Sequence, residues 1–275
     1  GAPGGSRGLP GSPGDASPPA PGPVAWLRAN GASLATAEER IKALDLIREM
    51  VSENLDRIAA AQEADRVVPA RFEGTAQMLY AGCEMYKSLA PQWMEPEVIP
   101  DSCPTALKAG VEADWVVVNE PKGVCVCIAP WNAPVTLCLI PAMAMLAAGN
   151  RVVLKPPELV PTVSALLREL CERHLRGYVW VEEGGKDAVN RLIDEGPDHV
   201  VFTGGGEVAR LIAARCARTL TPVTLELGGK SPVFVDRGLS GAMMDSAVRE
   251  ILETKVAKTG QFCCAHDYAL VHASA

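Results

Sequence analysis

The stretch His199-Val-Val-Phe-Thr-Gly-Gly-Gly-Glu-Val-Ala-Arg210 sets the frame for the rest of the chain. A short β-branched and aromatic run meets three glycines and then a segment with helical character. This predicts a strand over 199–202 and a helix over 207–218. A helix opening after glycines presents free N–H groups and the positive end of its dipole, which suits a phosphate. The turn is not GxGxxG, because Ala209 stands where a further glycine is expected, and a plain strand-to-helix turn fits the same residues.

Outward from this unit the alternation repeats. Strands are predicted over 124–128, 151–154, 178–181 and 222–227, and helices over 137–148, 162–174 and 186–194. Five strands separated by helices of crossover length predict an α/β fold, a doubly wound parallel sheet of Rossmann-like type. Ligands of such sheets lie beyond the carboxyl ends of the strands. The loops after Ile128, Leu154, Phe202 and Leu227 therefore share one rim. Upstream, 37–66 predicts one long amphipathic helix, with Thr36 and Glu39 at capping-box spacing. A second helix is predicted over 71–89, ended by Pro91 and Pro96, and 115–118 reads as a strand entering a turn. Residues 1–23, almost wholly Gly, Pro, Ala and Ser, are expected to form a flexible arm.

Composition excludes several function classes. The 275 residues allow one large domain or two small ones, and the net charge of −7 without any Lys/Arg run argues against a nucleic-acid partner. The nine cysteines are spaced neither as a disulfide framework nor as paired zinc ligands, and the four histidines show no metal spacing. No metal site is predicted, and a reducing, cytoplasmic location is expected. Residues 124–149 carry no charge and are long enough to raise the question of a membrane span. Three prolines and Asn132 inside them favour a buried strand, a loop and a buried helix instead.

Each rim loop carries a chemical candidate. Asn132, set between Pro130 and Pro134, suits an oxyanion donor, and equally a side chain capping its own turn. Lys155 and Glu158, held three apart by two prolines, fit the hydroxyls of a ribose or a surface ion pair. Glu226 lies between Leu225 and Leu227. An apolar neighbourhood there raises a carboxyl towards the range of a general base, the alternative being an ordinary strand-end Glu. Gly228 and Gly229 remove side chains where close access to backbone is needed. Near the end, Cys263 and Cys264 stand in a Gly-containing loop, and a reactive thiol needs access and a lowered pKa. His266, three residues from Cys263, fits an activating base or an exposed polar residue, and the adjacent thiols make a strained redox pair.

Taken in order, PWN (130–132), LKPPE (154–158), FTGGG (202–206), LELGGK (225–230) and GQFC (260–263) resemble the motifs of the aldehyde dehydrogenase superfamily. LTPVTLELGGKSP and GQFCCAHDY are most similar to its class 3 branch of fatty, aromatic and coniferyl aldehyde dehydrogenases, and the resemblance runs from about Ala35 to Val271. It implies Cys263 as nucleophile, Asn132 as oxyanion amide and Glu226 as general base. It implies Lys155 and Glu158 at the adenosine ribose, Trp131 and Leu227 beside the cofactor, and Gly204 and Gly205 facing its phosphates. NAD or NADP is the implied cofactor, a small-molecule aldehyde the substrate, and a homodimer the assembly of the full-length relative.

The resemblance further divides the chain into N-terminal helices plus an NAD(P)-binding domain over 24–228 and an incomplete α/β catalytic domain over 229–275. The sequence ends about a dozen residues after Cys263, so most of that second domain is expected to be absent. Departures from the family pattern are Ala133, Gly205, Gly206, Ala209, Phe262 and His266. Two other readings stand beside the dehydrogenase: a non-catalytic dinucleotide- or partner-binding relative, and a CoA-acylating or acyl-phosphate-reducing cousin. Glu226 counts against the cousin, which needs no hydrolytic base.

Overall fold

The computed structural model describes residues 21–67, 72–99 and 115–273. Residues 1–20 of the expected arm lie outside them. Pro23 does not belong to the arm, because it opens a helix, α1 (Pro23–Asn30), that the sequence reading missed. The fixed φ of proline suits a first helical position, and the Val24 N–H donates to Glu195 Oε2 at 2.9 Å.

The expected helix over 37–66 divides into α2 (Ala37–Glu53) and α3 (Leu55–Ala64). The break is at Asn54, whose buried side-chain amide donates back to the Met50 carbonyl at 2.9 Å and so competes with helical continuation. The capping box of Thr36 and Glu39 forms. Helix α4 (Phe72–Met94) runs through Pro91 instead of stopping before it. Ala90 is fully buried, and Tyr86 and Trp93 meet across the proline with ring centroids 6.1 Å apart. Packing there overrides the local cost of the missing N–H. Two short strands, β1 (Glu97–Val98) and β2 (Val116–Val117), pair antiparallel.

The central domain is the predicted five-stranded parallel sheet. Its strands are β3 (Val124–Ile128), β4 (Arg151–Lys155), β5 (Val179–Val181), β6 (His199–Gly204) and β7 (Val223–Leu227), in spatial order β5-β4-β3-β6-β7. Four helices connect them: α5 (Pro134–Ala147), α6 (Pro161–His174), α7 (Lys186–Asp194) and α8 (Gly206–Cys216). The two apolar faces of the sheet explain its buried strands. Cys125 and Cys127 point into a core shared with α2, α4, α5 and α6, whereas Val124, Val126 and Ile128 point into a second core under α1, α7 and α8. The strand order reverses between β3 and its neighbours β4 and β6, and Ile128 pairs with both Lys155 and Phe202. The carboxyl ends of these three strands thus meet at the switch point, where such sheets open a crevice.

Beyond β7 the chain forms β8 (Ser231–Val235), α9 (Ala242–Val256), a single turn over Ala257–Gly260, and β9 (His266–Val271), which pairs parallel with β8. No residue of α9 is buried, and Phe234 on β8 is 72% exposed. Among the described residues, no helix is long and apolar enough to cross a membrane. The uncharged stretch over 124–149 instead forms β3, a loop and α5.

Candidate active site

At the switch point lies a groove of about 410 Å³. Lys155 ends β4 and is buried, and its ammonium donates to Glu158 Oε2 at 2.8 Å. That bond holds the Glu158 carboxyl below the usual carboxylate range. The pair therefore stands as a charge-compensated floor, with the second carboxylate oxygen not bonded to Lys155. The same groove is lined from α8 by Val208 and Leu211, which are exposed apolar side chains. Gly204 and Gly205 line the groove where β6 runs into α8. A Cβ at Gly204 would overlap the Phe202 ring, whereas Gly205 faces open space at the N-cap position and, having no side chain, leaves the first N–H groups of α8 uncapped. These residues fit a dinucleotide: a carboxylate for a ribose, an apolar wall for a base, and a helix N-terminus at a glycine turn for phosphate.

A second cavity, of about 300 Å³, adjoins the groove through Trp131, Gly204 and Gly205, which line both. Asn132, Glu226, Leu227 and Cys263 line it too, so three residues expected to carry chemistry are brought to one space. Leu227 belongs to this cavity and does not line the larger groove. The desolvation anticipated at Glu226 does not occur. Because β7 is an edge strand, Leu225 turns into the core while Glu226 turns out and is exposed. His266, a candidate activating base, opens β9 opposite Ser231 and does not line the cavity.

Among the described cysteines only Cys263 and Cys264 are exposed. Burial pushes the Cys125, Cys127 and Cys171 thiols up to about 12 and Cys83 up to about 11, which removes them as nucleophiles. Cys263 lines the cavity with Asn132, and Cys264 does not.

The loop before Cys263 holds contacts that sequence reasoning missed. Lys258, Thr259 and Gly260 all have left-handed backbones, with φ of 48°, 55° and 77°. For Lys and the β-branched Thr this conformation is costly and persists only where surrounding contacts enforce it. Those contacts are visible: Lys258 Nζ donates to the Asn132 carbonyl at 2.9 Å, and Asn132 Nδ2 donates to the Gln261 carbonyl at 2.7 Å. The Lys258 ammonium also lies 5.4 Å from the Phe262 ring centroid. Burial lowers the Lys258 pKa. Gly260 is the single sequence signal of this turn. On the other side, a Cβ at Gly229 would stand 3.0 Å from the Cys263 carbonyl oxygen, tighter than ordinary packing allows.

A model of the aldehyde dehydrogenase family matches residues 25–275. The chain is 40% identical over 247 residues to a coniferyl aldehyde dehydrogenase of Pseudomonas sp. (strain HR199 / DSM 7063), covering 86% of this chain and 48% of that relative. It is 34% identical over 245 residues to a dimeric NADP-preferring aldehyde dehydrogenase of Rattus norvegicus, covering 88% and 52%. Among solved structures, a substrate-bound Staphylococcus aureus AldH superposes with a TM-score of 0.76 at 27% identity, covering 88% of this chain and 52% of that one. The chain spans about half the length of the curated relatives it matches.

Proposed function

The chain belongs to the aldehyde dehydrogenase family, and from that premise we propose that its rim serves the oxidation of an aldehyde to a carboxylic acid with NAD or NADP. One observation carries this reading. Asn132, Glu226 and Cys263 line a single cavity that opens, past Trp131, Gly204 and Gly205, into a groove floored by Lys155 and Glu158. In this reading residues 24–228 bind the cofactor and residues 229–275 contribute the nucleophile to a catalytic domain.

The chain's own residues would act as follows. The Cys263 thiolate attacks the aldehyde carbon, an S–C bond forms, and the carbonyl electrons move to oxygen. The Asn132 amide and the Cys263 N–H hold that oxyanion. The bound nicotinamide supplies the acceptor for the hydride that the oxyanion expels. What remains on Cys263 is a thioester. Glu226, exposed to solvent across the cavity, takes a proton from water as the water adds to the thioester carbon, and the acid leaves as the thiolate is restored. Glu158 accepts from a ribose 2′-hydroxyl and disfavours a 2′-phosphate. Its charge is already partly answered by Lys155, which moderates that preference. Aromatic or medium-chain aldehydes are the proposed substrates, the aromatic ones in line with the coniferyl aldehyde dehydrogenase named above, and a homodimer is the proposed assembly, in line with the dimeric relative.

A second reading has its own support: the chain taken alone binds dinucleotide without turning over aldehyde, because Phe234, Leu252 and Leu270, in the unit that also carries Cys263, stay exposed. Titration calorimetry with NAD and NADP, followed by nicotinamide reduction with benzaldehyde or hexanal, separates the two. Binding with turnover favours the enzyme and binding alone favours the module. Absence of binding in the wild type, or binding unaffected by Lys155→Met, sinks both. Cys263→Ser is expected to abolish turnover. Loss in Cys264→Ser with activity kept in Cys263→Ser would assign the nucleophile to the neighbour.

A further inference from the structure

We infer that Lys258 is a positioning residue for the Asn132 amide, closing the Asn132 loop and the Cys263 loop into one hydrogen-bonded ring. The inference rests on the reading of Asn132 and Cys263 just given. The ring can be followed atom by atom. Lys258 Nζ donates to the Asn132 backbone carbonyl at 2.9 Å. Asn132 Nδ2 donates to the Gln261 carbonyl at 2.7 Å. The Gln261 N–H donates to the Lys258 carbonyl at 3.1 Å, completing the circuit.

Each link has a consequence for the amide. Asn132 Nδ2 carries two hydrogens. The bond to Gln261 uses one and fixes the plane of the amide, leaving the other for the cavity that Asn132 shares with Cys263. The bond from Lys258 fixes the backbone from which that side chain springs, 126 residues away in sequence. An ammonium satisfies this role better than a neutral donor, since a charge-assisted bond to a carbonyl is shorter and stronger. Burial makes the ammonium expensive to keep, and the Phe262 ring face at 5.4 Å offsets part of that cost. The left-handed backbone at Lys258 and Thr259 folds the lysine back across the gap. Without the ring those two residues have no reason to hold so unfavourable a conformation. Phe262, immediately before the nucleophile, thereby gains a role as the lid over the lysine.

The test uses this chain and two probes of the same sulfur. p-Nitrophenyl acetate acylates the thiolate through a tetrahedral oxyanion. The S–C bond forms, the C–O bond to the aryl oxygen breaks, p-nitrophenolate leaves, and an acetyl thioester remains on Cys263. Iodoacetamide alkylates the same thiolate by displacing iodide, with no oxyanion. Mass spectrometry assigns each adduct to Cys263 or Cys264. Asn132→Ala is expected to slow acylation about a hundredfold. Lys258→Met is expected to slow it about tenfold by displacing the amide, with alkylation changed less than about twofold and Lys258→Arg restoring most of the rate. If Lys258 acts through Asn132, adding Lys258→Met to Asn132→Ala causes no further loss.

Acylation unchanged in Lys258→Met overturns the inference while leaving the roles of Asn132 and Cys263 standing. Equal loss in both reactions overturns it as well, because the lysine then holds the loop generally. Acylation indifferent to Asn132→Ala, or adducts found on Cys264 alone, sinks the underlying reading and the inference with it.

Discussion

The units β3–α5–β4 and β8–α9–β9 are written in the same grammar, a strand, a helix and a parallel strand, yet they reach opposite degrees of burial. Every residue of β3 is buried, and α5 buries nine of its residues. In the second unit α9 buries none, while Phe234 and Leu270, partners across the two strands, stay 72% and 49% exposed. Apolar residues are plentiful in both, so composition does not explain the contrast. The number of layers does. The first unit has strands on either side and helices over both faces, whereas the second is a two-stranded ribbon with one helix, too small to exclude water from both of its faces. The candidate nucleophile Cys263 belongs to the second kind of structure and the candidate oxyanion donor Asn132 to the first, and the bond between Asn132 and Gln261 spans the boundary.

Hydrogen exchange should draw this contrast most sharply. Amides of β3 and β4 are expected to exchange at least about a hundredfold more slowly than those of β8 and β9. Equal protection, read by mass spectrometry on the intact chain, would show that the second unit is as cooperative as the first. Next in size, Leu154→Ala on β4 is expected to cost about 2–5 kcal/mol in denaturant unfolding, since Leu154 is fully buried.

A smaller effect tests the pair at the rim. Glu158→Gln leaves the buried Lys155 ammonium with a neutral partner, and after solvent screening at the half-exposed carboxylate the expected cost is about 1 kcal/mol. The pH dependence has a definite sign. The Glu158 carboxyl is depressed in the folded state, so its contribution is present above the ordinary carboxylate value of 4.5 and is lost as pH falls further, through the folded value. The wild type should therefore lose more stability than Glu158→Gln over that acid interval. The smallest effect belongs to the exposed ribbon, where Leu270→Ala should lie within about 0.5 kcal/mol of wild type. A larger loss would mean that the face is covered in solution.

The central sheet was legible because its signal is repetitive: five short apolar strands alternate with four crossover helices, and one rule places the strand ends on a common rim. Asn132, Lys155, Glu158 and Gly204 were legible as candidates for a related reason, since they sit at or just beyond strand ends, whereas Trp131 was reached only through the family resemblance. The helix breaks were less legible. Asn54 divides a helix through its own side chain, and Pro91 sits inside one because Tyr86 and Trp93 pack across it. Neither contact exists until distant parts meet. Glu226 was misjudged in its environment, because flanking leucines say nothing of whether a strand lies at the edge of a sheet. Lys258 was invisible for the same reason: its partner, Asn132, lies in another loop, and only Gly260 hints at the turn between them.

The approach of Gly229 to the Cys263 carbonyl has a mechanical meaning. The strand end that carries Glu226 and the loop that carries Cys263 share one wall, a single hydrogen thick, so their separation is gauged by backbone against backbone. A methyl group at position 229 would act as a wedge, pushing the sulfur-bearing loop away from the carboxylate-bearing strand by a few tenths of an ångström while leaving both side chains chemically intact. The clearance between them is thus kept by the smallest side chain available.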